Sequence, residues 1–181
     1  MAFIVEDGTG IVDANSYTTV VFANDYFSER GNSVWATYTD TQKQEALIKA
    51  TDYIELRYRD LFKGKQYLST QGLSFPRLAN DTEALDTFIY DTVDLTLIIG
   101  VVIPKSIQRA TCEYAARTFT GALVSDNLNQ EGVSTRVKIG QIEKEITYPT
   151  QSRPAKQFAS YPAADSLLKR YLKSTSSMVV R

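Results

Sequence analysis

The side chains that most often do chemistry in proteins are sparse in this sequence, which contains no histidine and a single cysteine, Cys112. Without histidine the chain cannot form Ser–His or Cys–His nucleophilic pairs, and it lacks the commonest acid–base catalyst and zinc ligand. Cys112 lies among alanines on a predicted helix, which favours a buried apolar role over a reactive one. These features predict a protein that is not an enzyme and that uses no cofactor or metal.

Two other patterns could bind a ligand, but neither matches a known site. Asp86, Asp91 and Asp94 fall within nine residues, and carboxylate oxygens are the ligands that Mg²⁺ and Ca²⁺ prefer. Their spacing matches no EF-hand loop, so an acidic surface is the better interpretation. The cluster Gly8-Thr9-Gly10 lacks the third glycine of a dinucleotide fingerprint and precedes no strong helix, so it predicts a turn.

The aromatic and basic residues suggest contact with nucleic acid. Eleven tyrosines and eight phenylalanines could stack on bases, and a basic groove could follow phosphates. The acidic first half argues against a dedicated DNA-binding domain, and the tyrosines of the central helix are spaced for packing. The candidate stretch runs from residue 136 to residue 170. Within it, we assign five residues to subunit contacts or to a DNA-facing surface: Arg136, Lys138, Lys144, Arg153 and Lys156.

Charge is unevenly distributed along the chain, although the formal net charge is only -1. Residues 1–100 contain 8 basic and 15 acidic residues, whereas residues 101–181 contain 12 basic and 6 acidic ones. Chance polarity on solvated faces explains such a pattern equally well. The functional interpretation is a dipolar subunit whose acidic and basic ends meet different partners or each other, because complementary charge sets orientation and partner choice.

Hydrophobic periodicity predicts the helices that would position these residues. The clearest helix covers about residues 41–62, with Asp40 as its N-cap. Its buried stripe is predicted to comprise Leu47, Ala50, Ile54, Tyr58 and Leu61. A second strong helix begins at Pro104 and extends to about Val124. Shorter helices are predicted near residues 21–30 and 82–90. The fold class is therefore mainly α, a small helical bundle.

The sequence of the remaining segments predicts smaller elements attached to that bundle. The N-terminal segment reads as extended, residues 65–80 as a loop, and residues 136–149 as a β-hairpin. A linker then leads to a short amphipathic helix at 163–172 and a tail, an extended C-terminal arm. The helix is too short to bury its apolar face alone and must dock somewhere. We divide the chain at 1–126, 127–149 and 150–181. The apolar run from Leu95 to Pro104 is about half the length of a membrane span.

Five segments in order resemble a group of small proteins of tailed bacteriophages. They are FIVEDGTGIVDANSY near the start, EALIKATDYIELRY in the central helix, QGLSFPR in the loop, IPKSIQRATCEYAAR in the second helix and YPAADSLLKRYL near the end. These proteins are often labelled DnaT-like single-stranded-DNA-binding proteins, and they are similar to head–tail connector (adaptor) proteins. The resemblance covers about residues 3–172.

The resemblance implies a structural subunit of the virion neck, at the junction between capsid and tail, made in the host cytoplasm. Such a subunit forms a homo-oligomeric ring, typically of about twelve copies, beneath the portal protein. It joins the portal to a tail or head-completion protein, with DNA passing through the lumen and no membrane involved. The C-terminal extension would then bind the portal, a role that falls on Leu167, Leu168, Tyr171, Leu172, Met178, Val179, Val180 and Arg181.

The alternative function is the one that the family label states, a single-stranded-DNA-binding protein acting in replication. Salt-dependent binding of oligonucleotides by the isolated protein would favour this alternative, because phosphate contacts release counterions. Ring formation on addition of portal protein, without such binding, would favour the adaptor.

Overall fold

The computed structural model describes residues 2–78, 103–124, 134–139, 142–147 and 158–173, with the backbone alone for the two segments between 134 and 147. Its contacts divide the chain into two compact units. The first, which we call the helical unit, comprises Met1–Leu123 and Ser160–Arg181; the second, the hairpin unit, comprises Val124–Ala159. The described C-terminal residues 160–173 belong to the helical unit. Our division at 1–126, 127–149 and 150–181 stays a prediction.

The described part of the chain is mainly helical, as predicted, and contains five α-helices. They are α1 (Val20–Ser28), α2 (Ser33–Ala36), α3 (Asp40–Tyr58), α4 (Lys105–Thr118) and α5 (Pro162–Leu168). Two short 3₁₀ turns follow α3 and α5, at Arg59–Leu61 and Lys169–Tyr171. The sequence did not predict α2, which has four residues, and the helix predicted at 82–90 lies outside the described residues. No described helix has both the length and the apolar character that crossing a membrane requires.

The central helix, α3, begins one residue before its predicted start. Its N-cap is Thr39, whose hydroxyl accepts from the Gln42 backbone N–H while the Gln42 side chain accepts from the Thr39 N–H. This reciprocal capping box makes Asp40 the first helical residue and not the cap. Leu47 and Ile54 are fully buried, as predicted. Leu61 is 50% exposed, contrary to prediction, because the α-helix ends at Tyr58 and the 3₁₀ turn changes the helical phase.

The second long helix, α4, packs against α3 and provides much of the core. Ile107, Ala110, Thr111 and Tyr114 are all fully buried, as the periodicity indicates. The Tyr114 ring lies 4.8 Å from the Tyr53 ring of α3, centroid to centroid. The helix ends at Thr118, six residues before its predicted end. Cys112 is fully buried too, as expected for a small apolar side chain.

The N-terminal segment folds around the buried carboxylate of Glu6, which is 2% exposed. This carboxylate accepts hydrogen bonds from the backbone N–H groups of Gly8 (2.9 Å), Gly10 (2.9 Å) and Ile11 (2.8 Å). Gly8 and Gly10 adopt positive φ of 105° and 84°, which other residues rarely do. The glycine cluster is therefore a turn, as predicted, whose amide groups point at the chain's own carboxylate.

Four short strands complete the described elements. In the helical unit, β1 (Lys65–Gln66) pairs antiparallel with β2 (Arg77–Leu78) inside the region predicted as a loop. In the hairpin unit, β3 (Ser134–Ile139) pairs antiparallel with β4 (Ile142–Thr147), which confirms the predicted hairpin.

The C-terminal helix α5 docks on its own chain. It packs mainly against α4, and Ala164, Leu168 and Tyr171 of this segment are at most 4% exposed. The helix docks, as predicted, and the surface that it covers belongs to its own chain. The sequence pattern of α5 alone does not reveal that α4 provides this surface.

Candidate nucleic-acid interface

A backbone pairing joins the end of α3 to the end of the C-terminal segment. Phe62 and Leu172 form an antiparallel bridge. On either side of it, the Lys63 N–H donates to the Tyr171 carbonyl at 2.8 Å, and the Lys173 N–H donates to the Leu61 carbonyl at 2.8 Å. Two stretches that are more than a hundred residues apart in sequence therefore lie side by side.

This pairing collects basic residues at one end of the helical unit. Around the bridge stand three residues from each stretch, and we call them the basic surface: Arg59, Lys63, Lys65, Lys169, Arg170 and Lys173. Five of the six are exposed and Lys63 is half-buried. The acidic residues in the same stretches are Asp60, which is exposed, and Glu55, whose side chain is 13% exposed. The surface therefore has an excess of positive charge.

Glu55 is largely occupied by neutral partners inside the unit. Its carboxylate accepts from the Tyr17 hydroxyl, the Ser74 hydroxyl (2.7 Å) and the Ser74 N–H (3.1 Å). Arg59 approaches it at 3.8 Å, with an exposed side chain. A pair of this kind is weak in water, so Arg59 remains able to meet an external anion.

Arg77 fixes the turn that carries Lys63 and Lys65. Its guanidinium donates to the carbonyls of Lys63 (2.7 Å) and Gly64 (2.6 Å), and it lies 5.8 Å from the Phe62 ring centroid. Gly64 has a φ of 70°, the left-handed conformation that glycine adopts without strain. Lys63 and Lys65 are thus presented by a braced turn and not by a free loop.

Asp165 attaches α5 to the two long helices. Its carboxylate accepts from the hydroxyl groups of Tyr114 (2.5 Å) and Tyr58 (3.0 Å). The Arg57 guanidinium lies 3.4 Å from both carboxylate oxygens. The Tyr161 N–H, at the start of α5, donates to the same carboxylate at 3.1 Å. We call these five residues the Asp165 cluster.

The Tyr58 and Tyr114 hydroxyl groups of this cluster remain protonated donors over the physiological range. Burial raises the pKa of Tyr58 to about 12. Burial and the hydrogen bond to Asp165 raise the pKa of Tyr114 well above its usual range. Both hydroxyl groups therefore keep the proton that they donate to the carboxylate, and the cluster is intact at neutral pH.

Aromatic side chains near the basic surface differ in exposure. Tyr53 and Tyr58 are at most 5% exposed, in agreement with the prediction that the tyrosines of the central helix pack in the core. Tyr67 is 39% exposed and follows Lys65 by two residues. Base–aromatic stacking needs an accessible ring face, which makes Tyr67 the candidate among the aromatic residues near this surface.

The other end of α3 has the opposite charge. Asp25, Glu29, Asp40 and Arg30 are exposed near the start of the helix, where Arg30 lies 3.7 Å from Glu29, whereas Lys43 is buried there. The exposed side chains therefore carry an excess of negative charge around the N-terminal end of α3 and an excess of positive charge around its C-terminal end. This segregation does not follow the two halves of the sequence, because the acidic half itself contributes Arg59, Lys63 and Lys65.

The basic residues that we assigned to the hairpin alternate with acids across it. The register of β3 and β4 places Arg136 opposite Glu145 and Lys138 opposite Glu143, on one face of the ribbon. Lys144 is opposite Val137, on the other face. The assignment of Arg136, Lys138 and Lys144 to subunit contacts or to DNA stays a prediction. Arg153 and Lys156 lie outside the described residues.

The residues assigned to the portal fall into three groups. Leu168 and Tyr171 are buried in the core of their own unit, and their assignment to a portal stays a prediction. Leu167 and Leu172 are half-buried. The remaining four, Met178 to Arg181, lie outside the described residues.

Most of the basic surface was not predicted from the sequence. Lys169 and Arg170 ended the basic stretch that we singled out, but Arg59, Lys63, Lys65 and Lys173 were not assigned to it. A local signal existed, since Lys63-Gly64-Lys65 places two lysines around a turn glycine. No local sequence pattern, however, indicates that this turn lies beside residues 169–173.

In a comparison with known protein families, the whole chain, residues 1–181, matches the family described as "Putative DnaT-like ssDNA binding protein". No curated protein and no solved structure matches it. The match agrees with the family label that the sequence suggested, and it says nothing of a connector. The chain belongs to this DnaT-like family.

Proposed function

We propose that this protein binds single-stranded DNA without sequence specificity, on the basic surface at the C-terminal end of α3. The observation that carries the proposal is the pairing of Phe62 with Leu172, which assembles six basic side chains around one exposed rim. Membership of a family described as ssDNA-binding supports the same function.

The chemistry of the surface suits a flexible polyanion. Lysine and arginine side chains neutralise phosphates without reading bases, and they release condensed counterions when they do so. Tyr67, 39% exposed beside this surface, offers one ring for stacking on a base. A duplex would need the same phosphate contacts, but its bases are already stacked on each other. The surface therefore favours single strands.

Fluorescence anisotropy with a labelled oligothymidine, measured over a range of salt, tests this proposal. If four to six phosphates are neutralised, log K should fall against log[salt] with a slope of roughly -3 to -4, at about -0.7 per phosphate. Substituting Lys65→Gln should lower the slope by about 0.7 and weaken binding about fivefold at 0.1 M salt.

The matched control is Lys49→Gln. Lys49 is an exposed lysine of α3, about 15 Å along the helix from Arg59 at the usual rise per residue. The charge change is identical, so a nonspecific effect of net charge would appear in both variants. We expect Lys49→Gln to bind as the wild type does. Equal losses in the two variants, or no salt-dependent binding by the wild type, would overturn the proposal.

A second candidate function is the phage head–tail adaptor. It is favoured by the segregation of charge between the two ends of α3 and by the hairpin unit, which forms a compact unit of its own. Acidic and basic ends of neighbouring copies could pair around a ring, with the hairpin and the terminal tail left to meet a portal and a tail protein. On this account the protein is a component of the virion neck.

Imaging distinguishes the two candidates. Negative-stain micrographs and light scattering of the purified protein, alone and mixed with a phage portal complex, should show closed rings of constant size if the adaptor account is correct. A monomer that binds oligonucleotides and never assembles under either condition would leave the first candidate alone.

A further inference from the structure

We infer that Asp165 is a positioning residue for DNA binding, which anchors α5 so that Lys169, Arg170 and Lys173 complete the basic surface. The inference rests on the proposed function for its DNA part. The structural part is that one carboxylate anchors α5, and it stands on the contacts of the Asp165 cluster. The backbone pairing around Phe62 and Leu172 holds the far end of the same segment.

The basic surface is divided between two stretches of chain. Arg59, Lys63 and Lys65 are fixed by α3 and by the turn that Arg77 braces. The other three cations follow α5 directly, within five residues of its last residue, Leu168. Docking of α5 brings them to this surface, together with the backbone pairing of Lys63 with Tyr171 and of Lys173 with Leu61.

Few polar contacts hold α5, and Asp165 makes most of them. The described helix has seven residues, so it gains little stability by itself and depends on docking. Its buried apolar anchors are Ala164, Leu168 and the following Tyr171. Among the described hydrogen bonds between α5 and α3 or α4, all run through Asp165, to Arg57, Tyr58 and Tyr114.

Loss of the Asp165 carboxylate should loosen this segment. The site is only about a fifth exposed, since the Asp165 and Arg57 side chains are 23% and 20% accessible. An amide at the same position can still accept on its oxygen, but its NH₂ group faces the Arg57 guanidinium. Asparagine would also lose the ion pair with Arg57, and breaking such a partly buried pair is destabilising.

Binding and docking must then be linked in both directions. If DNA contacts all six cations, it binds the docked form more tightly than the undocked one. By mass action DNA stabilises the docked form, so added DNA should slow backbone amide exchange in residues 160–173.

The test compares Asp165→Asn with Asp60→Asn in the full chain. Asp60 is exposed beside the basic surface, so both variants lose one negative charge near it. If only net charge mattered, both variants would bind oligothymidine as tightly as the wild type or more tightly. The positioning role predicts that Asp165→Asn binds about tenfold to a hundredfold more weakly, since three contacts at 0.1 M salt contribute roughly a factor of a hundred. Its salt slope should fall by as much as about 2, whereas Asp60→Asn should keep the wild-type slope.

Hydrogen exchange of the free proteins separates the two parts of the inference. In Asp165→Asn the amides of 160–173 should exchange faster while α3 and α4 stay protected. Unchanged exchange in that segment would overturn the anchoring role. Faster exchange with unchanged DNA affinity and slope would overturn the positioning role. If the wild type bound no DNA, the proposed function would fail, and hydrogen exchange would still decide the anchoring.

A milder variant covers the case in which Asp165→Asn does not fold. Tyr58→Phe with Tyr114→Phe removes the two hydroxyl donors and leaves every charge in place. In this double variant the backbone amides of residues 160–173 should also exchange faster than in the wild type, and the salt slope should fall as it does in Asp165→Asn. A folded double variant that keeps wild-type exchange and affinity would contradict the inference.

Discussion

Replacement of Leu168 by alanine, compared with the same change at Leu167, tests where the C-terminal helix lies. The two leucines are adjacent, and both were assigned to an external partner on the sequence alone. The structure separates them, because Leu168 is fully buried whereas Leu167 is partly exposed.

The expected difference follows from burial. Truncating a fully buried leucine removes the transfer free energy of its carbons and leaves a cavity, at a cost of about 2–5 kcal/mol. Truncating the partly exposed Leu167 should cost about 1 kcal/mol or less, since much of its apolar area already meets water. At about 2–4 °C per kcal/mol for a chain of this size, Leu168→Ala should lower Tm by about 4–20 °C and Leu167→Ala by about 4 °C or less.

Calorimetry gives the Tm values, and hydrogen exchange shows which part of the molecule opens. If α5 can detach while α3 and α4 stay folded, the loss should appear mainly as faster exchange in residues 160–173. Equal and negligible effects of the two substitutions, with no change in exchange, would refute the docked arrangement. They would restore the idea of a helix that awaits another protein.

Three further outcomes follow from single buried groups. Glu6→Gln should lower the free energy of unfolding by about 2–3 kcal/mol in urea titrations, because an amide NH₂ cannot accept from the Ile11 N–H. The control Asp7→Asn, at an exposed residue, should change the free energy of unfolding little. Equal effects of the two substitutions would contradict the role of the buried carboxylate. Burial raises the pKa of the Cys112 thiol well above its usual range, so a thiol reagent at pH 8 should label it only as the protein unfolds; immediate labelling of the native protein would be inconsistent with that burial. Burial raises the pKa of Tyr26 and Tyr58 to about 12 against about 10 when unfolded, so between these values the unfolded chain holds fewer protons and stability should fall as pH rises. Denaturant midpoints measured from pH 9 to pH 12 check this, and a flat profile would contradict it.

The sequence predicted those elements whose signal is local. The stripe of Leu47, Ala50 and Ile54 identified α3, and Ile107 to Tyr114 identified α4, because a buried helical face needs apolar residues at helical spacing. The hairpin was predicted from alternation and turn residues. Ends of helices were less accurate, since Thr39 and Asp40 are both acceptable caps and only the reciprocal bond with Gln42 decides between them.

The candidate interface was harder to predict from the sequence, because it depends on pairing between segments that are far apart in the chain. Nothing near Lys63 indicates that Tyr171 will lie beside it, and nothing near Asp165 indicates that Tyr58 and Tyr114 will donate to it. The amphipathic pattern of α5 predicted a docking helix correctly but not its partner. An amphipathic pattern indicates only that the apolar face must be covered, and in this protein other helices of the same chain cover it.

Photocrosslinking tests the central claim most directly. An oligothymidine with halogenated bases, irradiated with the full-length protein at low salt, should attach to Tyr67 and to peptides containing residues 59–65 and 169–173. These attachments should be lost at high salt and reduced in Asp165→Asn. Crosslinks confined to the acidic end of α3, around Asp25 and Asp40, or none at all under conditions that crosslink a known single-strand binder, would contradict the account.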